Sequence, residues 1–123
     1  MSLRILAIDD SRTMRNLLKA TLCPAGFDVD IAEDGEDGLK RFDDSDPDVV
    51  ITDINMPRLD GFGFIEAARQ RKRERVVPIL VLSTESGDDM KARARASGAS
   101  GWIVKPFDEE KLLWAIERVA SKG

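Results

Sequence analysis

Asp9, Asp10, Asp53, Ser83 and Lys105 each close a short apolar run, and together they supply the side chains needed to handle a phosphoryl group. Three carboxylates drawn within ~5 Å would repel by roughly 3 kcal/mol per pair at an effective dielectric of ~20, so such a group shifts its pKa values or recruits a cation. Mg²⁺ is the economical choice, because it takes a few carboxylates together with water and a phosphate oxygen. A phosphate there would also meet Lys105 as a point charge and Ser83 as a hydrogen-bond donor. The set reads as a phosphoryl-transfer centre in which an Asp carboxylate acts as nucleophile and forms an aspartyl phosphate.

Such a centre needs a scaffold that brings five distant positions to one rim. Strand candidates are Leu3 to Ile8, Asp28 to Ala32, Asp48 to Asp53, Pro78 to Ser83 and Gly101 to Lys105, and helical stretches separate them. Five alternations of this kind argue for a parallel α/β sheet, in which ligands bind at the carboxyl ends of the strands where strand order reverses. Asp28 and Asp30 interleave with Val29 and Ile31, which marks the second strand as an edge. Val49-Val50-Ile51 and Ile79-Leu80-Val81-Leu82 read as interior strands.

The first helix carries an apolar stripe of Met14, Leu17, Leu18, Thr21 and Leu22 and stops at Pro24 and Gly26. In the last helix Leu112, Leu113, Ile116, Val119 and Ala120 repeat the pattern, with Asp108 as its cap and Glu109 and Glu110 in its first turn. The fourth helix, near Asp88 to Ser97, has Met90 as its one large apolar residue and is expected to be loosely held.

Composition narrows the function. The chain has 123 residues, a net charge of −4, one cysteine and no histidine. One domain with a modest core fits this length. Without histidine, Ser-His and Cys-His catalysis are excluded, and oxygen ligands are the plausible metal chemistry. Cys23 permits no internal disulfide and reads as a small buried hydrophobe in a reducing compartment. There is no apolar stretch of the ~20 residues a membrane span needs, and no secretory leader, so a cytoplasmic location is expected. After Ala120 three residues remain, so output is expected to pass through a separate partner.

The segments Ile8-Asp9-Asp10-Ser11, Ile51-Thr52-Asp53-Ile54-Asn55-Met56-Pro57 with Asp60-Gly61, Leu82-Ser83-Thr84 and Val104-Lys105-Pro106-Phe107 resemble the receiver domains of two-component response regulators. The likeness covers essentially the whole chain and is greatest to single-domain chemotaxis regulators of the CheY type. It implies a flavodoxin-like, doubly wound five-stranded parallel sheet of order 2-1-3-4-5 with five helices, the order for which CheY is a standing example. It implies one receiver domain over 1–123 with no output domain, and Asp53 as phosphoacceptor from a histidine kinase. Asp10, Asp53 and the Asn55 carbonyl match the Mg²⁺ ligands, and Asp9 matches an acid that supports the metal through water. Lys105 matches the lysine that pairs with the phosphate, and Ser83 the hydroxyl that reorients toward it. Pro106 matches a proline preceded by a cis bond that aims the lysine. Asn55 and Glu85 match positions flanking the water that removes the phosphoryl group.

Trp102 stands where the family usually has Tyr or Phe as a rotating aromatic switch, and its larger ring with an indole N–H is expected to turn less freely. The resemblance also implies a signalling surface formed by the fourth helix, fifth strand and fifth helix. It points to a flagellar motor switch protein or a phosphatase as further partners, and to kinase specificity around Arg12, Met14 and Arg15. A monomer is expected, without nucleic-acid or membrane partners, and no enzyme activity beyond its own phosphorylation and dephosphorylation.

Several features have plainer readings. Arg69, Arg71, Lys72, Arg73 and Arg75 are read as cations favoured at the end of the third helix rather than as a nucleic-acid patch, since no aromatics interleave. Trp114 falls off the stripe of the last helix and is expected to be partly exposed. Alternative functions are a phosphate sink or relay intermediate and, from another class, a Mg²⁺-dependent phosphatase working through an aspartyl phosphate. That phosphatase needs a second acid two residues after its nucleophile, where this chain has Asn55, a carboxamide unable to transfer the proton. A flavin-binding reading fails because Asp9 and Asp10 sit where a phosphate would lie.

Overall fold

A computed structural model describes residues 2–122. The strands are β1 (Arg4–Ile8), β2 (Asp28–Ala32), β3 (Val49–Thr52), β4 (Ile79–Ser83) and β5 (Gly101–Val104). The helices are α1 (Arg12–Leu22), α2 (Gly35–Ser45), α3 (Gly61–Arg69), α4 (Asp88–Ser97) and α5 (Glu109–Lys122). All strand pairs are parallel, in the order β2-β1-β3-β4-β5. Every expected strand is present, within one residue of its expected ends. Asp9 and Asp53 lie one position past their strands, yet each still donates its amide to the neighbouring strand, to Ala32 and Ile8 at 3.0 Å.

β3 and β4 are buried on both faces, as their unbroken apolar runs require, and the half-solvated β2 forms one edge. Against one face of the sheet pack Phe42 of α2, Phe62, Phe64 and Ile65 of α3 and Ala94 of α4. Against the other pack Leu18 and Leu22 of α1 and Leu112 and Ile116 of α5. Asp108 caps α5 as expected, accepting the Glu110 amide at 3.0 Å. Trp114 is 61% exposed, with the Arg118 guanidinium 5.2 Å from its ring centre. In α4 the one fully buried residue is Ala94, and Arg93 reaches over the Phe62 ring at 3.9 Å, a light attachment that agrees with the sparse apolar content of the helix.

Three expectations require correction. Leu17 is 46% exposed, because Leu18 and Leu22 take the sheet-facing positions and Leu17 lies about 100° round the helix from Leu18. Cys23 is exposed rather than buried, since it follows Leu22 on the outward side at the end of α1. The basic run lies mostly beyond α3, which ends at Arg69, and it serves the fold.

Arg71 bonds Asp43 at 3.1 Å, Arg75 pairs with Asp48, and Arg73 pairs with Asp46 while donating to the Phe42 carbonyl at 2.8 Å and lying 4.0 Å over its ring. Arg69 ties the Val77 carbonyl at 2.7 Å to the Gly98 carbonyl at the end of α4 at 2.8 Å. These cations fasten an irregular connection to the ends of α2 and α4.

Candidate phosphoryl-transfer site

The carboxyl ends of β1, β3 and β5 converge. β1 delivers Asp9 and Asp10, and β3 delivers Asp53. One carboxylate oxygen from each of these three acids lies within 4.8 Å of the others. Lys105, directly after β5, places its ammonium 2.7 Å from Asp9 Oδ2 and 2.9 Å from Asp53 Oδ2. Its own amide is fixed by the Ser83 carbonyl at 2.8 Å, and the Lys105–Pro106 bond is cis.

Local chemistry holds Asp9 and Asp53 in place. Asp9 is 1% exposed; its Oδ1 accepts the Ser11 amide at 2.9 Å, and Arg15 donates to its carbonyl at 2.9 Å. Ser11 in turn caps α1 through the Met14 amide at 3.2 Å. Asp53 Oδ1 accepts the Ile54 amide at 2.7 Å, which leaves Oδ2 turned to Lys105. The chain must then leave the rim sharply, and Gly61 permits it: a Cβ there would overlap the Asp53 carbonyl oxygen. Asp60 caps the next helix, accepting the Gly63 amide at 2.8 Å.

Burial raises the Asp9 carboxyl above its usual range, only partly opposed by the hydrogen bond from Lys105. For Lys105 burial acts downward, yet the hydrogen bonds and charges of Asp9 and Asp53 outweigh it and hold the ammonium above its ordinary value. Two buried acids that share the Lys105 ammonium, with a third and exposed acid beside them, suit a hard divalent ion entering from the Asp10 side. The donors are all oxygens, the set Mg²⁺ prefers.

The other sequence candidates surround this cluster without joining it. Ser83 is fully buried, and its hydroxyl accepts the Glu85 amide at 3.2 Å. Trp102 donates its indole N–H to the Glu85 carbonyl at 2.9 Å, so the expected switch residue is tied to the loop that follows Ser83. Asn55 lies exposed two residues past Asp53. Of the three residues expected to guide kinase choice, Arg15 turns inward to Asp9, whereas Arg12 stays exposed and Met14 half-buried. A groove of about 730 Å³ runs along the open edge of β5 between Trp102 and Trp114, remote from the acids.

Sequence reasoning missed Asp34 and Arg58. Asp34 is 2% exposed and caps α2 through the Asp37 amide at 2.8 Å, while Arg58 reaches it from the β3–α3 loop. The cap is legible in Asp34-Gly35-Glu36-Asp37. Nothing local to Arg58 marks its partner 24 residues away.

Residues 5–117 match the response regulator receiver domain family. Among solved structures, chemotaxis protein CheY4 of Vibrio cholerae is 40% identical, with a TM-score of 0.92 over 97% of this chain and 99% of that one. A response regulator protein from Burkholderia multivorans is 48% identical, with a TM-score of 0.79 over 98% and 96%. PilG of Pseudomonas aeruginosa is 36% identical over 94% of this chain and 85% of its own. With the acid rim, its lysine and the 2-1-3-4-5 sheet in agreement, the chain belongs to the response regulator receiver domain family.

Proposed function

We propose that this protein takes a phosphoryl group from a histidine kinase onto Asp53 and uses the new charge to alter its α4-β5-α5 surface, signalling to a partner in chemotaxis. The observation that carries the reading is the three-acid rim closed by Lys105, and the likeness to a protein named as chemotaxis protein CheY4 supports the pathway.

Asp53 Oδ2 attacks phosphorus as the P–N bond of the donor phosphohistidine breaks and an acyl P–O bond forms. Mg²⁺, held by Asp10, Asp53 and the Asn55 carbonyl and supported by Asp9 through water, would neutralise charge on the transferring oxygens. Lys105 leaves its bond to Asp53 Oδ2 and pairs with a phosphoryl oxygen. Ser83 turns its hydroxyl toward another, which releases the Glu85 amide. Glu85 also accepts from Trp102, so this loop links the phosphoryl group to β5 and to the lightly attached α4. Asn55 and Glu85 flank the approach of the water that later hydrolyses the acyl phosphate.

A time course with a small phosphodonor and Mg²⁺ tests the class of activity. At most one phosphoryl group per chain, self-limited and lost by hydrolysis once the donor is removed, supports the receiver reading. Repeated turnover of unrelated phosphate esters contradicts it and favours the aspartyl-phosphate phosphatase.

A further inference from the structure

The loop between β3 and α3 turns on Arg58: the Leu59 amide donates to the Pro57 carbonyl at 2.8 Å and closes a tight three-residue turn around it. Arg58 has φ +68°, a left-handed conformation that side-chain-bearing residues other than Asn and Asp adopt infrequently and that persists where the surroundings impose it. The closed turn sets that conformation, and Asp34 holds the side chain that the turn projects. The Arg58 Nε donates to Asp34 Oδ2 at 2.8 Å and a terminal nitrogen bonds the same oxygen, while Glu33 lies 3.6 Å away. Asp34 cannot follow the arginine if it moves, because its other oxygen is committed to the Asp37 amide at the start of α2.

This pair acts on a loop whose other ties are few and, at Met56 and Leu59, apolar, since both side chains pack on the core. Ile54 is anchored at both ends, its amide to Asp53 and its carbonyl to the Gly61 amide at 2.8 Å. The Leu59 carbonyl accepts the Gly35 amide at 3.0 Å, an approach close enough that a Cβ on Gly35 would overlap it. Between these anchors, among the described residues, Asn55 and Met56 make no hydrogen bond, and Pro57 makes only a local one from the Leu59 amide. Arg58 is the polar tether of that span to the rest of the fold.

We infer that Arg58 is a positioning residue: by gripping Asp34 it fixes the span carrying Asn55, so that the Asn55 carbonyl is already aimed for Mg²⁺ before the ion arrives. The inference rests on the proposed metal site. Outer residues that hold a ligand in place typically change metal affinity by about 10–100-fold when removed, and one acting through three backbone positions belongs at the low end.

The test is Mg²⁺ titration by calorimetry on the wild type, Arg58→Ala, Arg58→Gly, Arg58→Lys and Asp34→Asn, with backbone order parameters from NMR relaxation at Asn55 and Met56 in the metal-free proteins. Asn at 34 keeps the α2 cap and removes the charge, so the test survives if an Arg58 variant fails to fold. Arg58→Ala, Arg58→Gly and Asp34→Asn are expected to bind Mg²⁺ about tenfold more weakly and to show lower order parameters at Asn55 and Met56, with Arg58→Lys recovering part of the loss. A variant set that unfolds earlier yet binds Mg²⁺ as the wild type does would reduce the pair to a structural contact and overturn the inference. So would wild-type affinity in Arg58→Gly, since glycine accepts the backbone conformation without the tether. Absence of Mg²⁺ binding by the wild type would instead remove the metal site itself, and the inference with it.

Discussion

The Lys105 ammonium lies 2.9 Å from the Asp53 carboxylate although 52 residues separate them in the chain. The same nitrogen bonds Asp9 at 2.7 Å, so one cation stands between two acids that would otherwise face each other across the rim. Lys105→Ala is expected to destabilise the metal-free protein by about 2 kcal/mol, less than the ~3–5 kcal/mol of a fully buried pair because the rim is open at Asp10. Urea unfolding in EDTA and in Mg²⁺ checks this: the ion should restore more stability to the variant than it adds to the wild type. A deficit untouched by Mg²⁺ would contradict the shared role of the two cations.

The indole N–H of Trp102 reports on the loop after Ser83, because its acceptor is the Glu85 carbonyl. With the exposed Trp114 replaced by Phe, beryllofluoride and Mg²⁺ together should change the remaining tryptophan emission, and Ser83→Ala should reduce that change. Trp102→Phe is expected to cost about 1 kcal/mol for the lost hydrogen bond. Unaltered emission on activation would show that the Glu85 loop does not move.

Acid stability has a stated sign. Burial acts to raise Asp34, but the Asp37 amide and the Arg58 guanidinium outweigh it and hold the carboxyl below its ordinary value. Burial likewise acts upward on Asp48, and the Arg4 amide and Arg75 outweigh it. The folded chain therefore binds fewer protons at these acids than the unfolded chain. The stability they contribute is present above about pH 4, the ordinary carboxylate value, and is lost as pH falls through their lower folded values. Asp9, raised by burial, acts with the opposite sign, so a comparison of variants isolates the first two. The double variant Asp34→Asn, Asp48→Asn should be less stable at neutral pH and show a shallower decline between about pH 4 and pH 2, measured as urea midpoints. An unchanged slope would contradict the assignment.

The sheet and the acid rim were legible because both are written locally. β-Branched runs define β3 and β4, and the period-2 alternation of Asp28 to Ile31 marks the edge. The polar residue closing each run then falls on the rim by topology alone. Features that depend on distant partners were not legible. Arg71, Arg73 and Arg75 read as cations at a helix end until Asp43, Asp46 and Asp48 are brought beside them. Leu17 and Cys23 border a buried stripe, and periodicity does not say how wide that stripe is. Arg58 carries no local signature of its partner, since Asp34 lies 24 residues away in the chain.

The central claim is that Asp53 accepts a phosphoryl group with the help of a divalent ion at the rim. Intact mass after incubation with acetyl phosphate, with and without Mg²⁺, for the wild type and Asp53→Asn, tests it most directly. The account predicts one added phosphoryl group on the wild type in Mg²⁺, none in EDTA and none on Asp53→Asn. An adduct on Asp53→Asn equal to the wild type, or no adduct on the wild type under any condition, would contradict it.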